Sequence, residues 1–459
     1  MNDRTTRLLL FFVFAMGFMF LWDYVFVRPK REALKKQEVK TKKVEKPKPA
    51  KAKKKVPEIK PLKLAEIRLN GHAYTVDVGN GAVYSLRDYK HKAEPKGYII
   101  RPLRKVSNVE VDARAKRVEG DWFSYTFGDN FGITFEIKDN KPIQITTPIT
   151  EKGQYQRKDL LVKTKNGEFK KIKYGDANLR FRGDTMLWFG PRSRYYLVAV
   201  TGFRGRVVSF KDGDRITLRL YPDNPQKFRV FFGPTEREVL ARFNPPLKEA
   251  FDLGGGWLKW MVWPIYWALV FFYKFTGHYG LAIIVLALVL KILMSPLYIN
   301  MYRSAKGMQK LQPKLKKIQE LYKDDPERLQ WEMMKLYREA GVNPLGGCLP
   351  MILMLPVFWA LYQVLQNAIE LKGSSFLWVQ DLSMKDPYYA LPIIMGVVSA
   401  ANAWFQPTAD PNAKRTSVLM SAVFVFIFLN LPAGIVLYWL AYSLFGLIEQ
   451  RIYRYILKY

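Results

Sequence analysis

Gly280-Leu-Ala-Ile-Ile-Val-Leu-Ala-Leu-Val-Leu-Lys-Ile-Leu-Met-Ser-Pro296 decides how this chain is read. With its flanks the run is long and apolar enough to cross a bilayer as a helix. Lys291 interrupts it. A cation at mid-membrane costs roughly 2.5–3.5 kcal/mol on insertion scales, so a chain keeps one where it faces water or a partner. A wet cavity inside a helical bundle is the expectation, with Lys291 as its first candidate functional residue.

Working outward, apolar residues crowd into residues 8–27 and into the last 200 residues, in runs with few charges. Spanning helices are expected near 278–298, 347–369, 388–406, 416–433 and 435–456. Residues 8–27 follow Arg4 and Arg7 and lack a small-residue cleavage site, so residues 1–28 read as an uncleaved signal anchor. The formal charge is +33, from 73 Lys/Arg against 40 Asp/Glu, and part of that excess is local. Residues 28–63 hold 16 Lys/Arg against 4 Glu, with Lys46-Pro-Lys-Pro49 and Lys53-Lys-Lys55. Such a segment (29–63) cannot bury a core and reads as a solvated spacer, or as a contact for anionic lipid. No aromatic residues interleave the basic ones for stacking, so a specific nucleic-acid partner is not expected.

Residues 64–250 have another texture. Asn80-Gly81, Gly128-Asp-Asn130 and Asp212-Gly213 are tight-turn signals. Between them run alternating segments, such as Ile216-Thr-Leu-Arg-Leu-Tyr221 and Ile133-Thr-Phe-Glu-Ile137. Many short strands with polar turns predict an all-β sandwich or barrel. Thr235-Glu-Arg-Glu238 reads as a capping box opening a short helix. In residues 251–277, Trp257, Trp260, Trp263 and Trp267 recur at helical spacing, which predicts an amphipathic helix lying at the interface.

The stretch 302–345 is polar, with ten Lys/Arg against six Asp/Glu. Its apolar residues recur every three or four positions on both sides of Asp324-Asp-Pro326, predicting an antiparallel helical hairpin. It reads either as a solvated connector or as a docking arm. Basic short loops lie in the cytoplasm. The hairpin, Lys414-Arg415 and the tail with Arg451, Arg454 and Lys458 satisfy that rule together. Counting back puts the β domain outside and the N-terminus inside. The Lys-rich spacer would then also lie outside, against the same rule.

Cys348 is the chain's lone cysteine, so no internal disulfide is expected, and His72, His91 and His278 are scattered. No phosphate-binding loop or paired-His zinc motif is present. The expectation is a protein that is not an enzyme and has no catalytic residues, cofactor or metal.

Asn343-Pro-Leu-Gly-Gly-Cys-Leu-Pro350, Pro356-Val-Phe-Trp-Ala-Leu-Tyr362, Asp386-Pro-Tyr-Tyr389 with Leu391-Pro392, and Leu431-Pro-Ala-Gly-Ile-Val-Leu-Tyr-Trp439 occur in order. With Met308-Gln-Lys-Leu-Gln-Pro313 and Glu332-Met-Met-Lys-Leu-Tyr337, they resemble the YidC/Oxa/Alb membrane protein insertases over roughly residues 257–457. The anchor and β domain look like the bacterial members with a large periplasmic domain. The resemblance implies an inner-membrane protein whose five core helices (278–459) enclose a hydrophilic groove, closed on the outside. That groove moves polar tails and releases helices into lipid. It implies nascent membrane proteins as substrates, the ribosome at the hairpin, and the Sec translocon as a partner. A basic residue lines the family's groove; here that position is Lys291, where arginine is usual. The family's last helix contacts substrate, at positions matching Tyr438 and Trp439. Tyr442 and Ser443 lie one turn on, on the same faces. Asn402, polar in mid-helix, is expected to face the bundle interior. The competing class is a small-anion transporter or channel, although no internal repeat is visible.

Overall fold

In the computed structural model of the chain, the described residues are 64–456 apart from 79, 96–98, 105, 107, 149–157, 214, 255, 324, 342–348 and 407–410. The signal anchor, the Lys-rich spacer and Cys348 lie outside them.

Two antiparallel sheets build a β-sandwich. One has eight strands, running from Leu64–Leu69 at one edge, through Ile143–Thr146 and Arg215–Pro222, to Leu179–Arg182 at the other. The second has nine, from Phe169–Lys173 through Met186–Arg192, Tyr196–Thr201 and Gln226–Pro234 to Val109–Asp112. The period-2 pattern sets what points inward. Ile216, Leu218 and Leu220 from one sheet, and Ile133, Phe135 and Ile137 from the other, meet in a single core. Two phenols tie the layers: the Tyr74 hydroxyl donates to the Phe232 carbonyl at 2.9 Å, and that of Tyr125 to Gly81 at 2.8 Å. Burial raises both phenols well above their usual range.

The strand Tyr196–Thr201 is buried along its whole length. Tyr196, Val198 and Val200 face the inter-sheet core, while Leu197 and Ala199 face a second cluster on the outer surface. Helix α1 (Arg237–Arg242) and the segment after it form that cover with Leu240, Phe243, Leu247 and Ala250. The helix begins later than the capping-box reading requires. Its N-cap is Glu236, without a side-chain cap. The Thr235 N–H is still spent on the Tyr195 carbonyl as an extension of the sheet, and the Glu236 carboxylate is drawn to Lys90 at 2.5 Å.

Strands pack closest at Gly190. A Cβ there would stand 1.8 Å from the Val198 carbonyl oxygen, a backbone atom with no rotamer to yield. Gly190→Ala is therefore expected to destabilise the sandwich by about 3 kcal/mol, read as a lowered thermal midpoint of the full chain in detergent.

The remainder is helical. Helix α2 (Lys259–Thr276) buries Val262, Ile265, Tyr266 and Leu269, and exposes Trp260, Trp267, Phe271 and Phe275. Gly277, in the left-handed region at φ 69°, ends it and turns the chain into α3 (Tyr279–Leu321). This second helix differs from expectation. It does not stop near residue 298 but runs on through Pro296 and Pro313 as the first arm of the hairpin. At 1.5 Å per residue it is about 65 Å long, roughly twice the hydrocarbon thickness of a bilayer. The second arm, α4 (Pro326–Glu339), starts where the Asp-Asp-Pro signal placed a break. Asp325 caps it by accepting from the Arg328 N–H at 3.0 Å, and Pro326 fills the first turn. It buries no residue, leaving Trp331 and Met334 exposed.

Four helices follow among the described residues: α5 (Leu349–Asn367), α6 (Ala390–Phe405), α7 (Pro411–Phe428) and α8 (Ala433–Ile456). Two helices, α3 and α8, are long and apolar enough by themselves to cross a membrane; α6 and α7 hold shorter apolar stretches. The helices share one core, in which Ile283 and Leu286 of α3 meet Leu361 and Val364 of α5, Met395 of α6, and Val436 and Tyr438 of α8. Hydrogen bonds tie the sandwich to α5 and to the segment that leads into α2. Arg194 and the Tyr195 hydroxyl both donate to the Gln366 carbonyl at the end of α5. Arg192 donates to the Ala250 carbonyl at 2.7 Å and pairs with Asp159 at 2.7 Å.

Candidate functional site

Two of the sequence motifs, around Asp386 and around Gly434, build the end of the bundle beside the sandwich. Asp386 accepts from the Leu391 N–H at 2.7 Å, capping α6, and also from the Trp378 indole at 3.2 Å. The first two N–H groups of α8 are orphans of any helix start. Here Ala433 donates to the Met384 carbonyl at 2.6 Å and Gly434 to that of Leu382 at 2.9 Å. Gly434 permits this approach, since a Cβ would stand 3.2 Å from the same Leu382 oxygen. Gly280 at the start of α3 is overlain by the Phe376 ring, which leaves no room for a Cβ. The loop 371–386 is thus a seated lid on the helix starts, held through backbone groups.

Deeper in, α3 and α8 run parallel. Ile283 lies beside Gly434 near their starts, and Tyr302 packs on Tyr453 near the end of α8. Between these levels sits Lys291, only 7% exposed. Its ammonium nitrogen lies 2.8 Å from a carboxylate oxygen of Glu449 on α8. Two phenol rings enclose the rest of the charge, Tyr298 at 4.1 Å and Tyr442 at 4.5 Å from their centroids. The hydroxyls of those tyrosines meet at 2.9 Å. Tyr438 stacks on Tyr442 at 5.9 Å, and its own hydroxyl is buried without a protein partner. The other oxygen of Glu449 accepts from the Tyr453 hydroxyl at 2.5 Å, which in turn meets the Ser295 hydroxyl. The ordered chain is therefore Ser295, Tyr453, Glu449, Lys291, with a tyrosine cradle on the cation.

The structure brings Lys291, Tyr438 and Tyr442 together and puts the other candidates elsewhere. Trp439, next to Tyr438 but turned about 100° around the helix, packs among Phe358, Phe424 and Phe428 of α5 and α7. Ser443 faces α6, where its hydroxyl meets that of Ser399 at 3.2 Å. Asn402 donates to the Ser443 carbonyl at 3.3 Å and accepts from Gln450. These two hold a polar seam between α6 and α8, closed by Gly446, where a Cβ would stand 2.6 Å from the Asn402 amide. Glu449, Tyr298 and Tyr453 were missed from sequence. Glu449 carried a signal: it is a carboxylate within an apolar helix, the same anomaly that marked Lys291.

Comparison with known proteins now bears on this arrangement. A family model described as "60Kd inner membrane protein" matches residues 271–458. The membrane protein insertase YidC of Geobacter sulfurreducens is 34% identical over 360 residues, covering 71% of this chain and 67% of that one.

The chain belongs to the YidC family of membrane protein insertases.

The YidC of Geobacter metallireducens is 40% identical over 279 residues, 58% of this chain and 52% of that protein. The chain thus spans about half the length of that relative and two thirds of the other. A crystal structure of an active YidC insertase with its first transmembrane domain resolved matches at TM-score 0.44 and 22% identity, over 86% of this chain and 93% of that one. In this chain the ionisable pair lies inside a helical bundle that meets a β-sandwich.

Proposed function

We propose that this chain inserts proteins into a bacterial inner membrane, and that the Lys291 site receives polar, acidic parts of the incoming polypeptide. One observation carries the reading: a buried ammonium held by Glu449 and two tyrosines between helices that are otherwise apolar. On this reading α3 and α5 to α8 are five core spans, preceded by the anchor at 1–28 and the spacer at 29–63. The sandwich (64–250) is periplasmic, the segment 251–277 that holds α2 lies at the interface, and the hairpin (302–345) and both termini are cytoplasmic.

Insertion requires a polar tail to pass through oil, and the barrier is the desolvation of its charged and backbone groups. A hydrated groove reaching to Lys291 shortens the dry path. A carboxylate drawn toward a positive outside gains about 2.3 kcal/mol per 100 mV, so attraction and membrane potential act in the same direction. The following apolar helix then leaves sideways along lipid-facing residues such as Ile292 and Leu293 of α3, each 63% exposed. Trp439, Ser443 and Asn402 support the path through the helix contacts around it. No bond is made or broken, and no cofactor is called for. The exposed ridge of α4, with Trp331 and Met334, suits the hairpin to dock the ribosome, with the Sec translocon and anionic lipid as further partners.

The test is photocrosslinking in proteoliposomes, with the crosslinker at position 439 or 442 and ribosomes translating a small membrane protein. Crosslinks to the nascent chain and protease-protected product are expected. Uptake of a labelled small anion without crosslinks would instead favour the transporter reading.

A further inference from the structure

Glu449 holds the one cation the insertion reading depends on, yet that reading gives the carboxylate no task during insertion. The pair is well made. One carboxylate oxygen meets Lys291 at 2.8 Å, and the side chains are 9% and 11% exposed. An incoming carboxylate cannot reach the ammonium by simple addition, because its best position is filled. Opening the pair and leaving the ammonium alone in the bundle strands a buried charge. Exchange avoids that state: one carboxylate enters as the other leaves, and the ammonium is never bare.

The surroundings suit exchange. Glu449 is held at both ends. Its second oxygen accepts from the Tyr453 hydroxyl at 2.5 Å, one helical turn on, and Tyr453 is steadied by Ser295. Once released from Lys291, the carboxylate still has this phenol as partner. The tyrosine rings at 4.1 and 4.5 Å keep the ammonium in place meanwhile. A neutral side chain offers the lysine nothing to replace what it loses.

We propose that Glu449 is the specificity-determining residue of the Lys291 site, a resident carboxylate that an Asp or Glu of the incoming segment must displace. It sets a threshold that acidic segments pass and amide-bearing ones do not. The inference rests on the insertion reading, and the two fail differently.

The experiment uses the full chain in proteoliposomes and two substrates that differ only in tail, one bearing Asp and Glu, the other Asn and Gln. The parent protein prefers the acidic tail. Glu449→Gln removes the competitor. If the pair is closed about nine-tenths of the time, apparent affinity for the acidic tail rises about tenfold, with little change for the amide tail. Tyr453→Phe keeps the ring but deletes the second holder, so Glu449 stays on Lys291 and acidic-tail insertion falls while amide-tail insertion holds. Opposite movements of one ratio are not produced by loosened packing. Glu449→Gln lowering both tails alike overturns the proposal. So does a parental preference that neither variant alters, with insertion itself intact. A parent that inserts neither tail fails the insertion reading, whereas one that inserts both equally leaves insertion standing and overturns this proposal. Should Glu449→Gln not fold, Tyr453→Phe decides alone: a selective loss of acidic tails supports the exchange, and an unchanged ratio refutes it.

Discussion

Lys291→Glu is expected to be the most damaging single change in the helical part of the chain. It replaces an ion pair at 2.8 Å with two facing carboxylates among apolar helices and removes the cation from the tyrosine cradle. Breaking a buried pair by changing one partner costs about 3–5 kcal/mol. A loss of that size appears as a lower unfolding midpoint in detergent, and if it falls on the insertion step it is worth a hundredfold or more, at roughly 1.4 kcal/mol per factor of ten. Lys291→Arg keeps the charge and is expected to keep most insertion, although a planar fork seats less well between two rings than an ammonium does. The double change Lys291→Glu with Glu449→Lys remakes the pair with reversed polarity and is expected to recover the midpoint. Stability and transport are thereby measured apart. If Lys291→Glu alone inserts an acidic tail as well as the parent, attraction of substrate carboxylates is wrong.

The second large effect lies in the sandwich. Arg192 and Asp159 are almost fully buried, and the guanidinium also holds the Ala250 carbonyl. It thereby clamps two neighbouring strands to the segment that leads into α2. Arg192→Met leaves the Asp159 charge inside without its guanidinium partner, with Lys171 at 3.4 Å. The expected loss is again about 3–5 kcal/mol. It is seen as earlier thermal unfolding of the full chain and as new proteolytic cleavage between residues 245 and 258. Adding Asp159→Leu is expected to return much of the loss, since replacing a whole buried pair by apolar side chains is often neutral. If Arg192→Met unfolds like the parent, the clamp does not carry the junction.

Both effects show what one strand of sequence can reveal. Lys291 was legible because its neighbours are uniformly greasy and a lone charge there has few explanations. The alternation of Ile216, Leu218 and Leu220 disclosed a sheet face for the same reason: a period of two has one structural meaning. Glu449 is less legible, because it sits near the end of a less apolar helix. Arg451, Arg454 and Lys458 follow closely, and together they read as a solvated basic end. That its partner lies on α3, 158 residues earlier, is a property of the packed bundle. Ser443 and Asn402 show a related limit. Helical spacing says which residues share a face, but the neighbour that covers the face decides whether it lines a path or seals a seam. The start of α1 shifted because Thr235 still served the sheet, and the length of α3 escaped because the span was ended where the apolar run gives way to polar residues.

That length has a mechanical meaning. A rod of about 65 Å that carries the hairpin arm on one end and Lys291 partway along transmits force without a loop to absorb it. Its compliant points are the prolines, which leave the backbone ladder incomplete. Pro296 stands five residues beyond Lys291. A load on the arm would flex the helix at that elbow, beside the Ser295–Tyr453 contact that steadies Glu449.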